Sequence, residues 1–237
     1  MTTPGFATNL ADIDSRFAQA QTMLDAAKRL DPSRVRRVSA ARTELFKLQK
    51  ATFFVLTYNA LEFSVRITLQ STFEEIARSS EPSSNLKPGI TGVALHKTWW
   101  DLLGTPHGEY GMGSLRLRRE IATEIRNTLL VSRASEIVVN RLINGNIKTG
   151  FLIDIGKHVF DLPLARIFPI GKAISSIQTV TEQRQLVAHG DLLETPLRVG
   201  GGFSVDTLED MFAHVRDFSV NFHHLFEGYC NNKEYLV

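Results

Sequence analysis

Cysteine is almost missing from this chain: Cys230 is the only one among 237 residues. An internal disulfide is therefore excluded, and the composition fits a reducing compartment. A lone thiol near the end of a helical stretch reads as a packed residue. Long hydrophobic runs are missing too. No stretch approaches 18 uninterrupted apolar residues, so no transmembrane helix is expected. The opening M-T-T-P-G-F-A-T-N-L has neither the basic start nor the apolar core of a secretory signal, and the expected location is the cytoplasm. Charge of one sign is also scarce. The net charge is only +2, so the whole molecule is not an electrostatic glove for nucleic acid, and any basic surface must be local. Internal repeats and low-complexity tracts are absent from the sequence.

Several chemical signatures are missing as well. The glycine-studded stretch from Thr98 to Gly113 reads as a mobile surface loop, and without G-x-x-x-x-G-K-[ST] it does not read as a P-loop. The H-G-E triplet at His107 to Glu109 resembles the H-x-E of zinc deaminases, but those also need P-C-x-x-C, which one cysteine cannot supply. His214, His223 and His224 lack the spacing of H-E-x-x-H, and no carboxylate set joins them. They read as packing or surface residues, and neither a metal nor a cofactor is expected.

What is present is a 43% hydrophobic fraction, ample for a sizeable core, patterned at helical spacing. Leu10, Ile13, Phe17, Ala20, Leu24 and Ala27 predict a first helix from Thr8 or Asn9 to about Leu30, broken by Asp31-Pro32-Ser33. A second run starts near Ser33 and continues to Arg78, with a kink or break expected between Lys50 and Phe54 because of its length. Its centre is apolar almost all round, which means burial. Glu62 stands out there, since an ionised carboxylate rarely stays buried without a partner. It either pairs with Arg66 one turn on or orients a functional residue elsewhere. Ser79 to Thr91 reads as a loop, and Ala94 to Leu103 as a short helix carrying Trp99-Trp100. Ser114 to Ile143 reads as a long helix rich in arginine: Arg116, Arg118, Arg119, Arg126, Arg133 and Arg141. That face is either solvated and partly neutralised by Glu120, Glu124 and Glu136 or a stripe that tracks phosphates, with Arg116, Arg118 and Arg119 as candidate RNA contacts. A turn and a helix start fall within Gly145 to Gly156, and a further helix runs from about Leu164 or Ile170 to His189. Leu192 to Gly202 reads as irregular or a small hairpin. The last helix is capped by Ser204 and Asp206, with Glu209 placed as in a capping box, and its stripe is Leu208, Phe212, Val215, Phe218, Phe222 and Leu225. The expected fold is all-α, a helical bundle with additional helices. Residues 1–40 form an N-terminal helical appendage to a helical domain over 41–237.

The rest is organised around T-E-Q-R-Q-L-V-A-H-G at Thr181 to Gly190. On a helix Gln185 and His189 share a face, with Arg184 on the neighbouring edge. Leu186 and Val187, with Ile174 and Ile177, face inward. Gly190 falls at a left-handed C-cap position, which puts His189 in the last turn, where the negative end of the helix dipole favours positive charge. A histidine beside a permanent cation suggests acid/base chemistry on a phosphate. Yet residues five apart on an ideal helix point about 140° away from each other. Arg184 and His189 converge only if the helix frays at Ala188 or a second copy completes the site. A structural arginine and a histidine capping carbonyls remain the alternative.

R-Q-L-V-A-H-G resembles the R-x4–6-H signature of the HEPN superfamily, with its usual polar residue after the arginine. The flanks resemble the RiboL-PSP type: F-F-V-L-T-Y-N-A-L-E-F-S-V-R-I-T-L at Phe53 to Leu69, N-G-N-I-K-T-G-F-L-I-D-I-G-K-H-V-F at Asn144 to Phe160 and N-N-K-E-Y-L at Asn231 to Leu236. The likeness covers most of Glu44 to Leu236. It implies an HEPN-like helical bundle and a metal-independent endoribonuclease without a cofactor, in which the RNA 2′-hydroxyl attacks the adjacent phosphorus. It implies His189 as general acid or base, Arg184 neutralising charge on the phosphoryl oxygens, and Gln185 positioning water, phosphate or the histidine. Glu62 is the candidate that orients Arg184 or His189. The resemblance also implies a homodimer with the two motifs facing each other. Antiphage defence or a stress response, with a defence-system or antitoxin partner, follows from family habit. Certain toxin members carry tyrosine two residues after the histidine where this chain has Asp191, which counts against a toxin role of that particular type. The rival reading is a non-catalytic HEPN-type module that binds RNA, a nucleotide or a protein through the same groove.

Overall fold

The computed structural model describes residues 5–34, 36–94, 139, 143, 147–189 and 202–237. The sequence readings of Trp99-Trp100, the 98–113 loop with its H-G-E triplet, and the 192–201 connection lie outside these residues, as does the arginine-rich helix except for Val139 and Ile143. The described residues are all-helical; one large hydrophobic cluster forms most of their core, and Ala27, Phe46 and Val205 form a second, small one.

Helix α1 (Asn9–Leu30) buries Ile13, Phe17, Ala20, Leu24 and Ala27 of the stripe its spacing predicts, while Leu10 is half-buried, with Asp12 in the first turn and Lys28 and Arg29 in the last. Its start is tied down. Phe6 is buried, the Asn9 amide donates to Ser71 Oγ at 2.9 Å, and that hydroxyl donates to the Gly5 carbonyl at 2.7 Å. The region set apart in the sequence as residues 1–40 thus contributes Phe6, Ile13, Phe17 and Leu24 to the same core as the later helices.

Helix α2 (Ala40–Arg78) is the central pillar, about 58 Å long at the α-helical rise. It begins at Ala40 and not near Ser33. Residues Pro32–Arg34 form a 3₁₀ turn instead, because the Asp31 carboxylate captures both the backbone N–H and the hydroxyl of Ser33 at 2.9 and 2.8 Å. Ser39 then caps the helix, its Oγ accepting from the Arg42 N–H at 3.2 Å. The break expected between Lys50 and Phe54 is absent. Lys50, Ala51, Phe53 and Phe54 are all buried: the Lys50 ammonium donates to the Phe203 carbonyl at 3.0 Å, and the Phe53 and Phe54 rings meet Phe212 and Phe203.

One segment read as a loop contains a helix start, and the helix start read within Gly145 to Gly156 is present. Helix α3 (Pro88–Ala94) lies partly within the stretch expected to be a loop. Proline is well suited to the first helical position, and a side chain at Gly89 would sit 2.1 Å from the His158 carbonyl oxygen. The glycine therefore permits close packing of α3 on the end of α4 (Thr149–His158). Within α4, a Cβ at Gly156 would lie 2.0 Å from Ile167 Cδ1, so this glycine seats the short α5 (Leu164–Ile167). Helix α6 (Lys172–Ala188) carries the R…H motif, and α7 (Val205–Asn231) closes the bundle. The cap of α7 is Ser204, whose Oγ accepts from the Thr207 N–H at 3.1 Å. Asp206 and Glu209 do not form the expected box, since Asp206 is already inside the first turn and Glu209 pairs with Lys28 of α1. The stripe of α7 is buried as expected up to Phe222, after which Phe226 takes the inward position in place of Leu225.

The N-N-K-E-Y-L ending is a clasp. Lys233 turns the chain with φ 54°, Glu234 forms a two-pronged ion pair with Arg166 at 2.6 and 3.1 Å, and Tyr235 is buried. The Lys87 N–H donates to the Tyr235 carbonyl and the Val237 N–H to the Asn85 carbonyl, both at 2.9 Å. Nearby, burial pushes the Cys230 thiol up to about 12, with Glu75 adding to the effect, so this cysteine is an unreactive packed group as its sequence position suggests.

One core histidine gives a pH prediction. His223 on α7 is 1% exposed and rests against the Phe6 ring at 5.3 Å. Burial pulls its pKa down to about 4, with Glu227 opposing and His224 assisting. Between that value and the ordinary 6.5, the unfolded chain binds a proton that the folded chain refuses. Stability present above pH 6.5 is thus lost as pH falls toward 4, by up to about 3 kcal/mol. Urea unfolding of the native protein across that range is expected to show the loss, and His223→Leu to flatten it. Parallel pH profiles for the two proteins would contradict this assignment.

Candidate functional site

Helix α6 is held by the buried Ala173, Ser176, Ile177, Val180, Thr181 and Gln183, which pack against α2 and α7. Ser176 Oγ meets His214 Nδ1 at 3.0 Å across the α6–α7 interface. Ile177 is buried as expected, but Ile174, Leu186 and Val187 are only half-buried. The helix ends at Ala188 and His189 is its C-cap, with φ −86° and ψ 0° and its N–H donating to the Gln185 carbonyl at 3.0 Å. The expected cap residue, Gly190, and Asp191 after it lie outside the described residues.

Three motif side chains go to three places. Arg184 is half-buried and lies over the face of Tyr58, its guanidinium carbon 5.0 Å from the ring centroid. Gln185 lines an open groove between α4 and α6. His189 is exposed at the helix end. The divergence expected between residues five apart is therefore what the structure contains, without fraying at Ala188.

Tyr58 ties the site to α2. Its ring is fully buried, and its hydroxyl accepts from the Ile147 N–H at 2.8 Å. Burial pushes this phenol above its ordinary value, the Ile147 N–H pulling the other way. Hydrogen-bonded Glu62 raises it further, and the positive Arg184 lowers it. The phenol is neutral at any physiological pH. One turn on from Tyr58, Glu62 pairs with Arg66 at 2.8 Å, and Arg66 also donates to the Ile143 carbonyl at 3.2 Å. Thr181 Oγ1 reaches the Ile147 carbonyl at 3.1 Å. Both α2 and α6 thus grip the backbone around Ile143 and Ile147 through polar groups. Of the two sequence readings of Glu62, the pairing with Arg66 is the one its 2.8 Å contact supplies. Sequence reasoning missed Tyr58. The signal was present: Tyr58, Glu62 and Arg66 recur at i,i+4 as one polar stripe on an apolar helix.

Comparison with protein-family models, characterised proteins and solved structures gives no match. The chemistry of the site therefore rests on its own residues.

The groove beside Gln185 has a volume of about 740 Å³, with Gly150, Phe151 and Asp154 of α4 facing Gln178, Glu182 and Gln185 of α6. Gln178 Nε2 donates to Glu182 Oε1 at 2.9 Å. Arg116, Arg118 and Arg119, the candidate RNA contacts, lie outside the described residues. Among the described residues no group of three or more His, Cys, Asp or Glu side chains could hold a metal ion, and no helix is long and apolar enough to cross a membrane. One helix end thus offers an oriented guanidinium for phosphoryl oxygens, an exposed imidazole for proton transfer and an amide facing a groove.

Proposed function

We propose that this protein is a metal-independent endoribonuclease of the HEPN type. The observation that carries the reading is the end of α6, where Arg184 is oriented over Tyr58 and an exposed His189 follows on the same helix. In the reaction, a base takes the proton of the RNA 2′-hydroxyl, and that oxygen attacks the adjacent phosphorus in line. The 5′-oxygen leaves with a proton from an acid, giving a 2′,3′-cyclic phosphate and a 5′-hydroxyl end. Arg184 balances the charge that builds on the non-bridging oxygens, and Gln185 positions the phosphate or the histidine.

The reaction uses one acid and one base, whereas one α6 carries one candidate histidine. Arg184 and His189 also diverge on that helix. A two-fold dimer brings two copies of each to one groove, since the same patch serves both subunits. The proposed enzyme is therefore a homodimer with a composite site, acting in antiphage defence or a stress response alongside a defence-system or antitoxin partner. The contact of Arg184 with Tyr58 also suits a second reading, a non-catalytic module that binds RNA, nucleotide or protein and in which the arginine serves packing.

RNA cleavage in excess EDTA separates the readings. Activity is expected to persist, and end analysis to find 2′,3′-cyclic phosphates, because imidazole and guanidinium supply the proton transfer and charge balance themselves. Products with 5′-phosphate ends, or a strict need for Mg²⁺ or Mn²⁺, would place the protein in another nuclease class. Absence of cleavage across RNA substrates would favour the binding module.

A further inference from the structure

Apart from Gln185, the residues that line the groove between α4 and α6 have no part in the cleavage chemistry proposed above. The groove volume, about 740 Å³, lies within the roughly 300–1,000 Å³ of small-molecule sites. One wall is α4. Gly150 and Asp154 are four apart and share a face. A side chain at Gly150 would meet nothing within 4 Å, so the wall is open at that point. Phe151 beside them packs partly on the core and lines the groove with the rest of its ring. The other wall is the α6 stripe of Gln178, Glu182 and Gln185. The Glu182 carboxylate already accepts from Gln178. The exposed Asp154 carboxylate forms no ion pair or hydrogen bond with another described residue. Lys148, also on the groove, is the neighbouring donor.

We infer that this groove holds one guanine base of the RNA substrate, stacked on Phe151 and read by Asp154. The inference deepens the ribonuclease reading and rests on it. Two carboxylates and one lysine make the groove a poor seat for a phosphate, but acceptors suit the donor-bearing edge of a base. Guanine alone among the four RNA bases presents two adjacent donors, N1–H and the N2 amino group, which match the two oxygens of one carboxylate. Its O6 acceptor is then met by the Lys148 ammonium. Adenine and cytosine place a ring-nitrogen acceptor next to their single amino donor, and the carboxylate repels it. Uracil has one N–H between two carbonyls. Unstacked bases held on an aromatic ring and hydrogen-bonded along one edge are the usual mode of single-strand RNA recognition. Gln185 is the one motif side chain that lines the groove, and it links the base site to the helix that carries Arg184 and His189.

The test is binding, which needs no cleavage. The full chain is titrated with 3′-GMP, 3′-AMP, 3′-CMP and 3′-UMP by calorimetry or by NMR. The expected result is that 3′-GMP binds at least about 10-fold more tightly than the others. Asp154→Asn, at an exposed position, is expected to erase a preference of about 10- to 100-fold, the size of one bidentate base contact. Equal binding of all four nucleotides, or an unchanged preference in Asp154→Asn, overturns the inference. GTP and a short oligonucleotide carrying 2′-deoxyguanosine are run in parallel. Tighter binding of the oligonucleotide supports an RNA-borne base, and tighter binding of GTP overturns that source. A chain that cleaves RNA without preferring 3′-GMP sinks the guanine site and leaves the ribonuclease reading standing. A chain that prefers 3′-GMP and the oligonucleotide but never cleaves RNA does the reverse.

Discussion

Replacing His189 by alanine is expected to lower RNA cleavage by about 10²–10⁴-fold, the contribution of one general acid or base, while the protein keeps its fold. The side chain is exposed and its helix ends through backbone bonds, the His189 N–H to the Gln185 carbonyl among them. Those bonds survive the substitution. Circular dichroism and thermal unfolding are therefore expected to match the native protein. The composite site adds a sharper expectation. With equal amounts of native and His189→Ala chains and full subunit exchange, mixed dimers make up about half of the population and native dimers about a quarter. If both histidines act in one reaction, activity falls near that quarter. Retention of half would mean independent sites, and cleavage by the pure variant at the native rate would remove His189 from the chemistry.

Arg184→Lys is expected to be nearly as damaging as Arg184→Ala, each lowering cleavage by about 10²–10³-fold, as loss of one charge-stabilising donor does. Two features make lysine a poor replacement. A planar guanidinium offers paired N–H groups to a phosphate, whereas an ammonium is a point charge. The planar group also lies over the Tyr58 ring, a contact that orients it. Tyr58→Leu removes that face and is expected to cost cleavage about 10-fold, in line with a partly desolvated cation–π contact. Tyr58→Phe keeps the ring and is expected to retain most activity, because the lost hydroxyl partners are the Ile147 N–H and Glu62 and not Arg184 itself. A lysine variant close to native activity would reduce Arg184 to general electrostatics. Equal damage from Tyr58→Phe and Tyr58→Leu would shift the weight from the ring face to the Ile147 and Glu62 contacts.

The sequence went furthest where a local pattern meets a single demand. The α1 stripe, the long α2, the Ser204 side of the α7 cap and the pairing of Glu62 with Arg66 all rest on neighbours three or four residues apart. It misjudged segments where a residue's meaning depends on distant chain. Pro88-Gly89 carries the signature of a turn, but the contact with residues 158 and 159 makes that glycine a packing device. The length of α2 pointed to a kink or break between Lys50 and Phe54, yet that stretch is helical and buried against Phe203 and Phe212 from far along the chain. Glu209 had the spacing of a capping residue and was claimed by Lys28 from α1.

At the candidate site the same division holds. That Arg184 and His189 point apart followed from the pitch of a helix alone. That Arg184 lies over Tyr58, that the Tyr58 hydroxyl meets the Ile147 N–H, and that Gln185 borders a groove opposite Asp154 were decided by tertiary structure. Those contacts join residues far apart along the chain. Helical periodicity determines which side chains share a face, but packing of α2, α4 and α6 determines which faces meet. Burial then sets how strongly their charges and hydroxyls interact.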